Sequence, residues 1–342
     1  MKFSVFDHLD RGSRSLGEFF ENRLTLAETY DRLGFYALHT AEHHFTPLGM
    51  APSPSVFHAA VAQRTKRLRF GPLVYTLNLY HPLRLAEEIC MLDHMSGGRF
   101  QLGVGRGISP FEVGYFGEDP TLGQEMYVEA FNVLIKALAA RAGVDSLTHD
   151  GRFYNYKNVP IEMEPLQRPH PPLWYGIGNP DSVPWCVQHR VNVVTNAPAD
   201  LMRRISDGYR AEWKRAGNDA TDMPFVGTTK HIVMADTERE ALETAKRAYA
   251  LWHSSFMHLF KKNGSKPRFA VYSENFDEVC ASGLVVAGTP ETVNRRLRGM
   301  VGESGLNYLL CRFAFGDMSL AESVRSANLF AEHVVPALRD IA

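Results

Sequence analysis

The stretch LHTAEHHFTPLG, Leu38 to Gly49, sets His39, Glu42, His43 and His44 within six residues. From His39 it spells H-x-x-E-H, a zinc-hydrolase pattern whose two histidines share a face only on a helix. Here the segment follows a glycine helix stop at Gly34 and reads as a strand turning into a loop. Neighbouring strand residues face opposite sides, so His43 and His44 cannot both point at one ion. No distant third ligand stands out. The residues therefore predict no metal site. His39 and His44 are expected to be buried, hydrogen-bonded side chains, and His43, at the strand end, is the candidate for chemistry.

Other candidates fall at similar strand exits. LGVGRGIS (Leu102 to Ser109) is no dinucleotide fingerprint, because Ile108 stands where the third glycine belongs and Ser109-Pro110 argues against an immediate helix. It reads instead as a glycine-rich exit that lets backbone approach a flat ligand, with Arg106 as a possible phosphate clamp. Asn78 and His81-Pro82 follow the third strand; His81-Pro82 reads mainly as a helix start. Gly178, Asn179 and Ser182 run into a helix, where the same residue types either cap the helix or hold an anion. No G-x-S-x-G elbow supports a serine hydrolase.

The elements that must position these residues alternate between short apolar strands and amphipathic helices. Strands are predicted at 2–7, 35–41, 68–76, 99–105, 172–177, 191–195, 225–234 and 306–312. Helices with readable ends cover 16–33, 82–95, 290–303 and 319–337. Eight strands, each followed by a helix, predict a (β/α)8 barrel. Residues 149–165 read as a small hairpin before the fifth strand, and 256–283 as a lid-like insertion before the last βα unit. The whole chain, 1–342, is expected to form one domain.

Composition narrows the partners. Lys plus Arg number 37 and Asp plus Glu 38, a net charge of −1, which favours no polyanionic partner. The basic stretch from Lys261 to Arg268 reads as a surface loop. Cys90, Cys186, Cys280 and Cys311 are scattered without a C-x-x-C pair. The opening MKFSVFDHLD carries charge too early for a signal peptide, and no apolar run reaches the ~18 residues of a membrane span. A cytoplasmic protein acting on a small molecule, with neither nucleic acid nor membrane as partner, is expected.

Four blocks, AEHHFTPLG, HPLRLAEEICMLDHMSGGRFQLGVGRG, HDGRFYNY…PLQRPHPPLWYG and VAGTPETVNRRL…GLNYLLCRF…FAEHVVPALR, occur in order along nearly the whole chain. Together they resemble the bacterial luciferase-like flavin monooxygenases. The resemblance implies a (β/α)8 TIM barrel, usually dimeric, binding reduced FMN or a deazaflavin at the strand C-termini. It makes His43 the catalytic histidine, Arg106 a flavin-phosphate contact and Ile108 a neighbour of the isoalloxazine. It also puts Asn179 and Ser182 at the phosphate and a non-proline cis peptide at Leu73-Val74 under the ring; Gly178 and Asn78, from the strand exits, complete the expected cofactor site. The implied reaction takes FMNH2 from a separate NAD(P)H:flavin reductase, activates O2 as a flavin hydroperoxide and oxygenates a small apolar aldehyde- or ketone-like substrate. A deazaflavin-dependent hydride-transfer enzyme and a non-catalytic flavin-binding relative are the alternatives. Three departures from the family pattern carry expectations. Gly105 replaces a cysteine and should leave room beside the flavin. Gln124 stands near the family's second phosphate arginine. The aromatics Phe269, Tyr272 and Phe276 of the insertion should line a substrate pocket, and Glu42 is a possible orienter of His43.

Overall fold

The computed structural model describes residues 1–12, 14–267 and 272–339. Strand β1 (Lys2–Asp7) leads to helix α1 (Leu16–Leu33), which begins where Ser15 Oγ accepts the Glu18 N–H and ends at Gly34, whose φ of +81° closes the helix. Then follow β2 (Ala37–Thr40), α2 (Pro54–Arg64), β3 (Arg69–Pro72), β4 (Tyr75–Thr76), α3 (Pro82–Ser96), β5 (Leu102–Gly105), α4 (Pro110–Tyr115) and α5 (Gly123–Ala139). An antiparallel hairpin, β6 (Ser146–Asp150) and β7 (Asn155–Pro160), precedes β8 (Leu173–Gly176). The later elements are α6 (Val183–Gln188), β9 (Asn192–Val194), α7 (Ala199–Arg215), β10 (Val226–Met234), α8 (Glu238–Phe256), α9 (His258–Lys262), α10 (Phe276–Ala281), β11 (Val285–Gly288), α11 (Pro290–Ser304), β12 (Tyr308–Arg312) and α12 (Leu320–Leu329).

The parallel strands run β3-β2-β1-β12-β10-β9-β8-β5-β4. Because β3 and β4 are successive halves of the third strand, the sheet returns on itself, and a bridge between Phe70 and Phe100 joins β3 to the approach of β5. This is the (β/α)8 barrel expected from the alternation. The third strand is halved at Leu73-Val74, whose peptide bond is cis, as the resemblance implied.

Strand alternation fills the barrel. Phe6, Ala41, Trp174, Val194, Tyr308 and Leu310 form a buried cluster, and Trp174 Nε1 donates to Gln101 Oε1 at 2.8 Å. The interior below the mouth is thus packed with side chains, as small barrels are.

Two expectations need correction. The insertion does not run straight into the last unit, because β11 follows it and pairs with the end of β10. Gly227 to His231 lie beside Tyr308 to Arg312, whereas His231 to Met234 lie beside Val285 to Gly288. Four apolar residues carry too little pattern to be told from a loop; the nine-residue β10 gives them their partner. The second correction concerns Ser109-Pro110, which opens α4 immediately. Pro110 takes the first helical position, where a missing N–H is no loss, and Ser109 Oγ accepts the Glu112 N–H at 3.4 Å. Among the described residues no helix is long and apolar enough to cross a membrane.

Candidate active site

The inward face of the second strand reads Ala37, His39, Ala41 and then His43. His39 is fully buried, lies 3.0 Å from the Tyr308 hydroxyl, and is pushed by burial down to about 3, so it is a neutral packing residue. His43 emerges one turn of chain higher, at the barrel mouth. The loop after it folds back tightly: a side chain on Gly49 would meet His43 Cβ at 2.6 Å.

Strand alternation separates the other two residues of the E-H-H run from His43. Glu42 is buried and faces the exit of the third strand, where Tyr80 Oη donates to it at 2.8 Å and the Thr76 N–H at 3.3 Å. His44 Nε2 lies 3.0 Å from the other Glu42 oxygen. Burial raises the Glu42 carboxyl above its ordinary value, against the lowering effect of these partners. Glu42 therefore holds His44 and the neighbouring strand exit, and it does not orient His43. The three residues spelled H-x-x-E-H converge on no common point.

The partner of His43 is Glu112, on α4. His43 Nδ1 lies 3.2 Å from Glu112 Oε1, and the His44 backbone N–H donates to Glu112 Oε2 at 3.0 Å. Burial disfavours an imidazolium at His43, but the Glu112 carboxylate, by charge and hydrogen bond, more than offsets this and holds the histidine above its ordinary pKa. Nδ1 is thus a donor to Glu112, and Nε2 is left for a ligand. Ser109-x-x-Glu112 matches a capping box in sequence. That signal marks a helix start, and nothing in it says that the glutamate reaches across the mouth to His43.

A second ring was also hidden. His8, just beyond β1, stacks on His43 with centroids 5.9 Å apart and planes 20° apart. Trp252 Nε1 donates to His8 Nδ1 at 3.2 Å. Indole is a donor only, so a neutral His8 carries its proton on Nε2. Burial, and behind it the positive charge of Arg312, keep His8 well below its ordinary pKa.

His43, Ile108, Glu112, Phe256 and Phe260 line one cleft, with a free volume of about 10 Å³. Ile108 is 45% exposed at its edge. Of the segment predicted as a lid, Phe256 at the end of α8 and Leu259 and Phe260 of the short α9 line this cleft. Tyr272 reaches the mouth, packing on Trp252 and Phe256 with centroids at 5.2 and 4.8 Å. Phe276 packs instead on Tyr249, away from His43. Phe269 lies outside the described residues. Lys261 and Lys262, expected in a loop, end α9.

The cofactor candidates sort into two corners. Asn78 and Arg106 flank the N-terminus of α5, where a side chain on Gly123 would meet Asn78 Nδ2 at 3.0 Å and Arg106 Cγ at 3.7 Å. Asn78 is 3% exposed, and its buried Oδ1 has no hydrogen-bond partner among the described residues. Arg106 is exposed and, among the described residues, has no ion-pair partner. Gln124 is exposed in the first turn of α5. A free guanidinium, an unsatisfied amide oxygen and an unpaired helix start suit a polar, anionic group such as a flavin phosphate and its ribityl arm. The neighbouring corner, after β8, holds Gly178 and Asn179, both exposed, and half-buried Ser182. The Asn179 side chain there caps a short turn, accepting the Asp181 N–H at 3.0 Å and donating to the Asp181 carboxylate at 3.1 Å.

Leu73 joins the buried interior cluster, and Val74 turns toward Gly105. The room expected at Gly105 is not empty, because a Cβ there would lie 2.5 Å from Val74 Cγ2. The valine fills the space that the missing side chain vacates.

Comparison with known proteins places this geometry. The chain is 43% identical, over 96% of its length and 94% of the relative's, to an uncharacterised protein of Sinorhizobium fredii. It is 27% identical to the oxygenase component of a flavin-dependent trigonelline monooxygenase from Acinetobacter baylyi, over 89% of this chain and 83% of that one. The crystal structure of monooxygenase RslO1 from Streptomyces bottropensis superposes with a TM-score of 0.86 at 27% identity, covering 98% of this chain and 99% of that one. The model of the luciferase-like monooxygenases matches residues 1–307. The chain belongs to the luciferase-like monooxygenases, a family of flavin-dependent enzymes.

Proposed function

We propose that this single-domain protein is the oxygenase component of a two-component system. It takes reduced FMN from a separate NAD(P)H:flavin reductase and places one oxygen atom of O2 into a small, largely apolar aldehyde- or ketone-like substrate. The observation that carries this reading is the His43–Glu112 pair, buried at the barrel mouth at 3.2 Å and facing Ile108 across one cleft. Active sites of barrels of this kind lie at that mouth. Arg106, Asn78, Gly178, Asn179 and Ser182 would hold the phosphate end of the flavin, and Leu73, Val74 and Ile108 its ring. Bound reduced flavin supplies the electrons that activate O2. The part of the chain's own residues is to orient the substrate, exclude water and move a proton. Because Glu112 favours the protonated form, His43 serves first as a hydrogen-bond donor through Nε2, and as a general base only after giving up that proton.

Phe256, Leu259 and Phe260 line the cleft at His43, so the end of α8 and α9 are the elements that would exclude water from a bound substrate. The four cysteines are free, which suits a cytoplasmic enzyme, and a homodimer is the expected assembly. The test is anaerobic binding of FMNH2 and of a reduced deazaflavin, followed by mixing with 18O2 and a panel of small aldehydes and ketones. The reading expects preferential FMNH2 binding and one labelled oxygen in the product. Hydride transfer from the deazaflavin without oxygen uptake would replace it by the alternative on the same barrel.

A further inference from the structure

Arg312, at the end of β12, is a buried cation without an acid of its own. It is 2% exposed, and its buried Nε–H has no hydrogen-bond partner among the described residues. The comparison with Arg23, the other deeply buried arginine of the β1 region, is direct: Arg23 pairs with Asp7 at 3.1 Å and lies 3.9 Å from Asp10. Arg312 meets neutral groups instead. One guanidinium nitrogen lies 3.4 Å from His231 Nδ1, the phenol of Tyr272 bonds it, and its charge stands over the rings of Phe6 and Trp252 at 5.1 and 5.5 Å. Asp7, the acid within electrostatic reach, is committed to Arg23. Lys230, 4% exposed one strand away, adds a second buried positive group. Burying an unpaired guanidinium is costly, and aromatic faces and neutral imidazoles offset only part of that cost.

The charge lies under the mouth, within two ring contacts of His43. Phe6 packs on His8 with centroids 4.9 Å apart, and His8 stacks on His43 at 5.9 Å. Beside the charge Trp252, Phe256 and Tyr272 pack on one another, and a ligand ring takes its place against Trp252 and Phe256 by displacing Tyr272, whose phenol now bonds the guanidinium. A guanidinium fork in an aromatic wall is the arrangement that recognises a planar carboxylate attached to a ring.

We propose that Arg312 receives a carboxylate of the substrate, so that the enzyme acts on a small cyclic organic acid whose ring lies against Trp252 and Phe256 and whose far end reaches His43. This rests on the mouth being the substrate site of the proposed reaction, and it replaces the largely apolar substrate by one that carries an ionised carboxylate on a ring.

The test compares benzoate with benzamide, its uncharged isostere, as probes. Binding is followed by tryptophan fluorescence in the flavin-free protein, and again after loading with FMN. The expected result is a preference for benzoate of about 30-fold or more. Arg312→Met should abolish the preference while leaving FMN affinity and the circular dichroism spectrum unchanged. Arg312→Lys, which keeps the charge and loses the fork, should retain part of it, and it carries the test should the methionine variant fail to fold. Equal affinity for the two probes, no binding of either, or a preference that survives in Arg312→Met would overturn the proposal. Failure to bind FMN with the benzoate preference intact would sink the flavin reading of the mouth and leave the carboxylate site standing.

Discussion

Replacing Glu112 by glutamine isolates the charge that sets the state of His43. The amide still offers an oxygen to the His44 N–H, which Glu112 accepts at 3.0 Å, but it presents no negative charge to His43 Nδ1. Both side chains are nearly buried, 12% and 10% exposed, so solvent screens the pair little. A hydrogen bond to a charged group contributes about 1.5–3 kcal/mol, so the imidazolium-to-imidazole ratio of His43 should fall by about 10- to 100-fold. The sign with pH follows from the raised folded-state pKa. The stabilisation is fully present below the unfolded pKa of 6.5 and is lost as pH climbs through the folded value. Glu112→Gln should therefore lower Tm by about 2–4 °C near pH 6 and by little near pH 9. In an NMR titration with labelled histidine, the His43 transition should move to lower pH, and the pH profile of turnover should move with it. An unchanged His43 titration, or a Tm loss equal at both pH values, would show that Glu112 acts by packing and that its charge is irrelevant.

Four further outcomes follow from the same geometry. His43→Ala should lower turnover sharply while flavin affinity stays nearly intact; lost affinity with surviving chemistry on the bound fraction would refute the assignment. Arg106→Ala should weaken FMN binding by about 10- to 100-fold and leave riboflavin, which lacks the phosphate, almost unaffected, as measured by fluorescence quenching. Gly105→Cys should destabilise by about 1–3 kcal/mol because its Cβ would lie 2.5 Å from Val74 Cγ2, and Val74→Ala in the same chain should recover most of the loss in denaturant melts. Burial raises Asp10 from 3.8 to about 7, so its share of stability is present below the unfolded value and lost as pH rises to about 7. Asp10→Asn keeps an acceptor for the Gly316 N–H, and its Tm should gain on the parent protein progressively from about pH 4 to about pH 8; a gain confined to acid pH would contradict the burial argument.

The barrel was legible in the sequence because period-2 and period-3.6 patterns and end signals are local. Gly34, Ser319 and the Thr289-Pro290 pair marked helix ends without reference to any other part of the chain. Alternation along the second strand also separated His43 from His44 before any contact was known, since the two faces of a strand are fixed by backbone geometry. Which groups meet across the mouth was not legible. Glu112 is 69 residues from His43 and Trp252 is 244 from His8, and nothing in the local sequence of either segment points across the mouth. The state of each titrating group depends on burial and on such distant partners. Hence the raised pKa of His43, the valine filling the space beside Gly105 and the lone charge of Arg312 were decided by the tertiary structure.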